Sequence, residues 1–533
     1  MRPLHRRSRL LPLLLVPALA LTPLATQSVV PGPRLLAPAG AETDDPATGV
    51  PDRIVLNPTE DTTTSVMVTW RTAAGLDDHR AQVRRPGERA LVGEYPSWNE
   101  ESAMSQPEAE HHSALMDGLA PGTGYEYRVG GGAGWSRWRP VRTAAEGSEP
   151  FTFLYFGDAQ NGLTDRWPPV VRRALRSEPD ARLTLHEGDQ INEADHDPEW
   201  GDWFRGAERL LTSTLTLTSP GNHEYSGDQL ITGYRAHYEY PLNGPLLLRH
   251  EDVYYTDYQG VRFIGLNANQ QLGAPDQALW LRRVALTENP MDWTVVFFHH
   301  PVFSASEGRD NPQLRAFWLP TFEALGIDLV LQGHDHVYAR GHLTENETGP
   351  GTHVGPTYVV SVAGSKYYDL APADDNVWTQ NDATRVLAHA QTSTYQAISV
   401  SQDRLVYRSV IGAKGGASTT ERGRGDLLDA FTITRGGDGT KVVEDGLPTR
   451  ITVQRTRLKG RAGVVVARLL APRHRPTGRV TAWVGEERVG AGRLRRGQVR
   501  VALRGVPKRA VAVELRYSGD GRARAATRAV PLG

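Results

Sequence analysis

From Pro51 to about Ala145 apolar and polar residues alternate with period two, as in SVMVTWRT, HHSALMDGL and GYEYRVG, and Gly- and Pro-containing turns separate the runs. That pattern predicts half-buried strands, and several at short spacing predict a β-sandwich. Trp70, Tyr125 and Tyr127 fall on its apolar positions and are expected in the core. Between Phe151 and about Arg435 the pattern changes. FTFLYFG, ARLTLHEG, TLTLTSP, TVVFF and IDLVLQ are short apolar runs separated by helix-like stretches such as PVVRRALRS and DWFRGAERLL. Strands alternating with helices predict an α/β core. Gly436-Gly437-Asp438-Gly439 then reads as a linker, after which ITVQR, GVVVARLL, RVTAWVG, QVRVALRG and AVAVELRYSGD return to strand period.

The N-terminus joins a basic head, MRPLHRRSRL, to an apolar stretch, LPLLLVPALALTPLA, too short and Pro-broken for a stable membrane span. It reads as a secretory signal. Arg6-Arg7 permits a twin-arginine route as well as the general one, and Ala18-Leu19-Ala20 and Ala39-Gly40-Ala41 both offer small-residue cleavage sites. The expected location is secreted or extracytoplasmic, with residues 1–41 a signal and disordered leader.

The chain has no cysteine, which removes thiolate nucleophiles, disulfides and sulfur-ligated metals. Any metal must therefore sit on oxygen and imidazole. Net charge is −1 overall, yet from Leu447 onward 21 Lys and Arg face 4 Asp and Glu. Such a tail is a solvated basic surface or a contact for an anionic polymer or cell surface.

In α/β sheets ligands bind beyond the carboxyl ends of strands, so polar residues that follow apolar runs are the ones to collect. Five such ends share one chemistry: Gly157-Asp158, Gly188-Asp189, Gly221-Asn222-His223-Glu224, His299-His300 and Gly333-His334-Asp335-His336. Asp158, Asp189, Asn222, His299, His334 and His336 supply two carboxylates, a carboxamide oxygen and three imidazoles, a donor set suited to a pair of divalent or trivalent ions.

The ordered set GD, GD, GNHE, a strand ending in His, and GHDH resembles the calcineurin-like metallophosphoesterases, and Tyr338 with Arg340 in GHDHVYAR bring it close to the purple acid phosphatases. The segment around Trp70, the Leu119–Thr123 turn and Tyr125 resembles the fibronectin type III-like module that precedes the catalytic domain in plant-type members. The tail resembles a bacterial immunoglobulin-like domain. The implied architecture is multidomain: a fibronectin type III-like sandwich over 51–146, a central α/β metallophosphoesterase domain, a β-sandwich flanked by helices, over 150–435, and an Ig-like basic sandwich over 447–533. The resemblance implies that Asp158 and His336 hold one metal, Asn222, His299 and His334 the other, and Asp189 bridges them. It implies that His223 faces the substrate, to stabilise phosphate charge or protonate the leaving oxygen.

Two departures bear on the first metal. Asn192 stands where the purple enzymes have a metal-binding tyrosinate, and Gln160 stands where many relatives have the histidine of a DxH motif. Either amide could ligate the metal, or both could hydrogen-bond a bound water. Without a phenolate or thiolate, a divalent pair of zinc, manganese or iron is expected rather than a ferric tyrosinate centre. His300 is expected to touch or orient a metal ligand or to fill the space behind the ligands, Glu224 to support His223 at the substrate pocket, and Tyr225 and Tyr338 to line that pocket. The expected activity is hydrolysis of phosphate monoesters. A phosphodiesterase or nucleotidase using the same site is the alternative, and a non-catalytic surface-binding protein is a third reading.

Overall fold

The computed structural model describes residues 45–533, apart from 101–108, 228, 231, 246–251, 287–288, 521 and 533. The expected leader, residues 1–41, lies outside the described residues. No described helix is long and apolar enough to cross a membrane.

The N-terminal segment folds into two sheets, as the period-two pattern requires. One contains Asp52–Asn57, Val66–Ala73, Trp98–Glu100 and Ala109–Met116. The other contains Arg80–Arg84, Leu91–Pro96, Gly124–Gly131 and Arg139–Arg142. Trp70, Val83 and Tyr127 are buried between them. Tyr125 closes the Leu119–Thr123 turn, its hydroxyl accepting the Ala120 N–H at 2.8 Å. This sandwich does not stand apart. Asp52–Asn57 pairs in parallel with Leu215–Thr218 through Leu56 and Leu215, so its first sheet runs on into the central domain.

The central domain is built on two facing sheets. In the first, Phe151–Phe156, Leu183–His186 and Leu215–Thr218 are parallel, and Thr392–Ser401 and Arg404–Lys414 continue it antiparallel. In the second, Val261–Gly265, Trp293–Phe297, Leu329–Gln332 and Thr357–Val360 are parallel. Phe153 meets Phe263 edge-to-face across the gap at 5.1 Å, in a core that also takes Val295, Phe297 and Leu331. Helices Ala274–Leu286 and Pro312–Leu325 cover the outer face of the second sheet with Trp280, Leu281, Trp318 and Phe322. Helices Trp167–Ser177 and Asp197–Leu211 flank the first. Parallel strands buried on both faces explain the nearly continuous apolar runs in the sequence.

A buried ion cluster ties the N-terminal sandwich to this domain. Arg53 makes two bonds of 2.6 Å to the Asp197 carboxylate at the start of helix Asp197–Leu211, and Arg71 reaches the same carboxylate at 3.2 Å.

The C-terminal segment departs from the two-sheet expectation. Its seven strands, from Arg450–Lys459 to Ala526–Pro531, form one continuous antiparallel sheet curled around Val465, Val501, Val513 and Leu515. The first and last strands come back into contact. Its arginines lie at alternate, outward positions, as Arg455, Arg468 and Arg500 do, because period two sends the valines and leucines inward.

Candidate metal centre

Every predicted ligand sits just past the carboxyl end of a parallel strand. Asp158 follows Phe151–Phe156 and Asp189 follows Leu183–His186. Asn222 and His223 occupy a short 3-10 turn after Leu215–Thr218. From the second sheet, His299 follows Trp293–Phe297, and His334 and His336 follow Leu329–Gln332. Parallel alignment puts all of these ends on one rim, so residues far apart in the chain meet.

The six donors gather into one cluster. His336 Nε2 is 3.0 Å from Asp158 Oδ2. His299 Nε2 lies 3.2 Å from both Asp189 Oδ1 and Asn222 Oδ1, and 3.1 Å from His334 Nδ1. Asp158, Asp189 and His336 place ligand atoms within 4.8 Å of one another, and so do His299, His300 and His334. Asp189 joins the two groups, one oxygen toward His299 and the other 2.5 Å from the Gln160 amide, which itself touches His336. From behind, His299 Nδ1 donates to the Glu187 carbonyl at 3.1 Å and His336 Nδ1 to the Lys366 carbonyl at 3.0 Å. Each ring is thereby held with its Nε2 facing the cluster.

The backbone is bent to make this possible. Asp189, His334 and His336 have φ of 46°, 69° and 51°, a left-handed region that non-glycine residues enter at a cost and that clusters at functional sites. Gly333 is required by proximity, since a Cβ there would lie 2.2 Å from Asp158 Oδ1.

Charge balance follows from burial and contact. Burial opposes ionisation of Asp158 and Asp189, but His336 beside the first and His299 beside the second hold both carboxyls below the usual range. Burial alone would lower His299, yet the Asp189 carboxylate lifts it to about 9. Burial and the neighbouring histidines push His334 well below its ordinary value. Glu187, fully buried with neither carboxyl oxygen bonded, is pushed well up by burial and by Asp158.

The remaining predicted residues separate. Gln160 is fully buried against the Asp158, Asp189 and His336 group, with its Oε1 unpartnered. The Asn192 side chain turns away, accepting from the Asn161 amide at 3.4 Å, while its backbone carbonyl accepts His223 Nδ1–H at 2.5 Å. His223 thus aims Nε2 at the cluster, 3.9 Å from Asp189 Oδ2, with 25% of its side chain exposed to an arriving substrate. His300 packs its ring 4.1 Å from that of His334, and burial lowers it to about 3.

Two pocket expectations are corrected. Glu224 is buried, its carboxylate accepting the N–H groups of Gly221, Asp189 and Gln190 at 2.6, 2.9 and 2.8 Å, so it ties two ligand loops together. Tyr338 is also buried, donating to Asp429 at 2.8 Å, because the strand Tyr338–Leu343 begins there and turns it inward. Tyr225, half-buried with its hydroxyl 2.6 Å from the Asn267 amide, stays where a rim residue could be.

Sequence reading missed Arg309, Lys366 and Tyr368. The Tyr368 ring lies 4.8 Å from that of His336, and the Arg309 guanidinium stacks on Tyr368 at 4.3 Å while donating to the His334 carbonyl at 3.0 Å. The signal for two of them was present: Lys366 and Tyr368 follow Thr357–Val360, another parallel strand, but several residues beyond its end.

Comparison with known proteins agrees with this geometry. A family model described as purple acid phosphatase, N-terminal domain, matches residues 51–143, and one described as calcineurin-like phosphoesterase matches residues 151–338. The chain is a calcineurin-like, purple acid phosphatase-like protein. An uncharacterized protein of Mycobacterium tuberculosis is 26% identical over 334 residues, covering 54% of this chain and 62% of that one. An Fe(3+)-Zn(2+) purple acid phosphatase 12 of Arabidopsis thaliana is 25% identical over 259 residues, covering 44% of this chain and 53% of its own length. The match therefore spans less than two thirds of these relatives. Among solved structures, a purple acid phosphatase from yellow lupin seeds shares the fold with a TM-score of 0.59 at 18% identity, over 73% of this chain and 75% of that one.

Proposed function

We propose that this protein hydrolyses phosphate monoesters with two metal ions held between its facing sheets. The observation that carries the reading is the convergence of six oxygen and nitrogen donors from five strand ends, with the partly exposed His223 beside them. The residues fit a metal pair. Gln160 Oε1 is buried without a hydrogen-bond partner, and His299 and His336 turn Nε2 toward the buried carboxylates of Asp189 and Asp158.

In this reading Asp158, Gln160 and His336 would hold one ion and Asn222, His299 and His334 the other, with Asp189 placed to serve both. Gln160 is preferred to Asn192 because its amide already lies between Asp189 and His336, whereas that of Asn192 faces Asn161. A neutral carboxamide ligates through oxygen, so Gln160 Oε1 would be the atom to hold a metal. Neighbouring cations would neutralise phosphoryl oxygens and lower the proton affinity of water.

The chain's own residues do the rest. Asn192 and Asp189 fix the His223 ring, whose Nε2 then stands where a leaving oxygen departs and can supply its proton. The water oxygen forms the new bond to phosphorus and gives up a proton to solvent, the ester P–O bond breaks with its electron pair on the oxygen that takes the His223 proton, and a solvent proton restores His223.

With Asn192 in place of a phenolate, the metals are a divalent pair of zinc, manganese or iron. Metal analysis with a panel of monoesters and diesters tests the function. Two ions per chain with monoester turnover is expected; diester turnover alone would favour the phosphodiesterase reading. A strong visible charge-transfer band would contradict the divalent assignment. The outward arginines of the C-terminal sheet offer the charge that an anionic polymer or cell surface would need.

A further inference from the structure

Beside the candidate metals lies a pair of cations that the reading above does not use. Residues 363–368 are anchored to the Asp158 loop: the N–H groups of Ala363 and Gly364 donate to the Asp158 carbonyl at 3.0 and 2.7 Å, and Ser365 N–H donates to that of Asn161 at 2.8 Å. Tyr367 turns away, its hydroxyl bonded to Ser393 at 2.7 Å, so Lys366 and Tyr368 are left on the side of the cluster.

Tyr368 is the centre of a small platform. Its ring touches His336, carries the Arg309 guanidinium at 4.3 Å, and has the Lys366 ammonium 5.7 Å from its centroid. All three side chains are half-buried, open on one side to solvent. Arg309 spends one N–H on the His334 carbonyl and keeps the others. Among the described residues no carboxylate lies within 4 Å of either cation, although Glu307 and Asp369 are close in sequence and exposed. Arg315, by contrast, is paired with Asp310 on the same loop. Two cations held on an aromatic face with no carboxylate in salt-bridge reach, beside His334 and His336, are poised for an anion that arrives with the substrate.

We propose that Arg309 and Lys366, held against Tyr368, bind a second anionic group on the substrate. The substrates are then phosphoesters whose leaving group carries its own phosphate or carboxylate, in preference to esters of neutral alcohols. The inference rests on the phosphoester-hydrolase reading for its substrate, but not for its test.

Non-hydrolysable probes separate the two. On the metal-loaded full chain, calorimetry compares methylenediphosphonate with methylphosphonate, which differ by the second anionic group. The diphosphonate is expected to bind more tightly, and Lys366→Met and Arg309→Met are each expected to cut that ratio about tenfold. Lys366→Arg should restore it, which a merely structural loss would not allow. A ratio that stays at the wild-type value in both Met variants overturns the proposal. So does a wild type that binds the two probes equally. Absence of phosphoester turnover with an intact ratio would overturn the hydrolase reading and leave this anion site standing.

Discussion

The Nδ1–H of His223 donates to the backbone carbonyl of Asn192 across 2.5 Å, and this bond sets which nitrogen of the imidazole faces the cluster. The carbonyl is in turn fixed from helix Asp197–Leu211, whose Glu199 carboxylate accepts the N–H of Asn192 at 2.6 Å and of Glu193 at 2.9 Å.

His223→Ala should therefore lower kcat by about 100-fold to 10,000-fold, the range of a lost general acid. Glu199→Ala, which only frees the Asn192 loop, should lower kcat about tenfold with little change in KM. In the double variant the two losses should not add, because Glu199 acts through His223. Additive losses would show that Glu199 has a separate role.

Gln160 should decide the affinity of one metal and not the other. Gln160→Ala is expected to leave one ion tightly bound and to weaken the second about tenfold or more, read by metal content after dialysis against a graded chelator. Gln160→His puts back an imidazole donor and should tighten that ion beyond the wild type. Equal loss of both ions in Gln160→Ala would mean that Gln160 shapes the whole cluster.

Much of the cluster was legible in the sequence because its parts are local. Asp158, Asp189, Asn222, His299, His334 and His336 each sit a residue or a few past an apolar run, and strand direction then brings them to one rim. What could not be read depends on long-range partners. Nothing in DRIVLN announces that Leu56 pairs with Leu215, since the pattern of a strand does not say which distant strand lies beside it. Tyr338 looked like a pocket residue because it trails the GHDH turn, but strand alternation faces it toward Tyr407 and Asp429. Lys366 and Tyr368 reach the cluster only through the anchoring of their loop to Asp158 and Asn161.

The Arg53 and Arg71 contacts to Asp197 should matter for stability. Asp197→Ala leaves two buried guanidinium groups with only the Asp45 and Asp52 carboxylates, and breaking a buried pair from one side costs about 3 to 5 kcal/mol. A lowered denaturant midpoint with an unchanged slope would report it. The same substitution loosens the helix that carries Glu199, so kcat should fall as well.

Metal binding should release a proton, and the pH at which it does so follows from His299. Without metal, Asp189 raises this imidazole to about 9, above the ordinary value of 6.5. The pair therefore stabilises the metal-free fold fully between about pH 4, below which the Asp189 contribution begins to fade, and about pH 6.5, and the His299 contribution is lost as pH rises through about 9. A cation takes the same lone pair and can bind only after the proton has left. Metal affinity should thus climb with pH up to about 9 and then level off. Calorimetry at pH 7 in two buffers of different ionisation enthalpy should find about one proton released per chain, and almost none at pH 10. No release at either pH would mean that His299 and Asp189 remain an ion pair when metal is present, and His299 would then have to be struck from the ligand set.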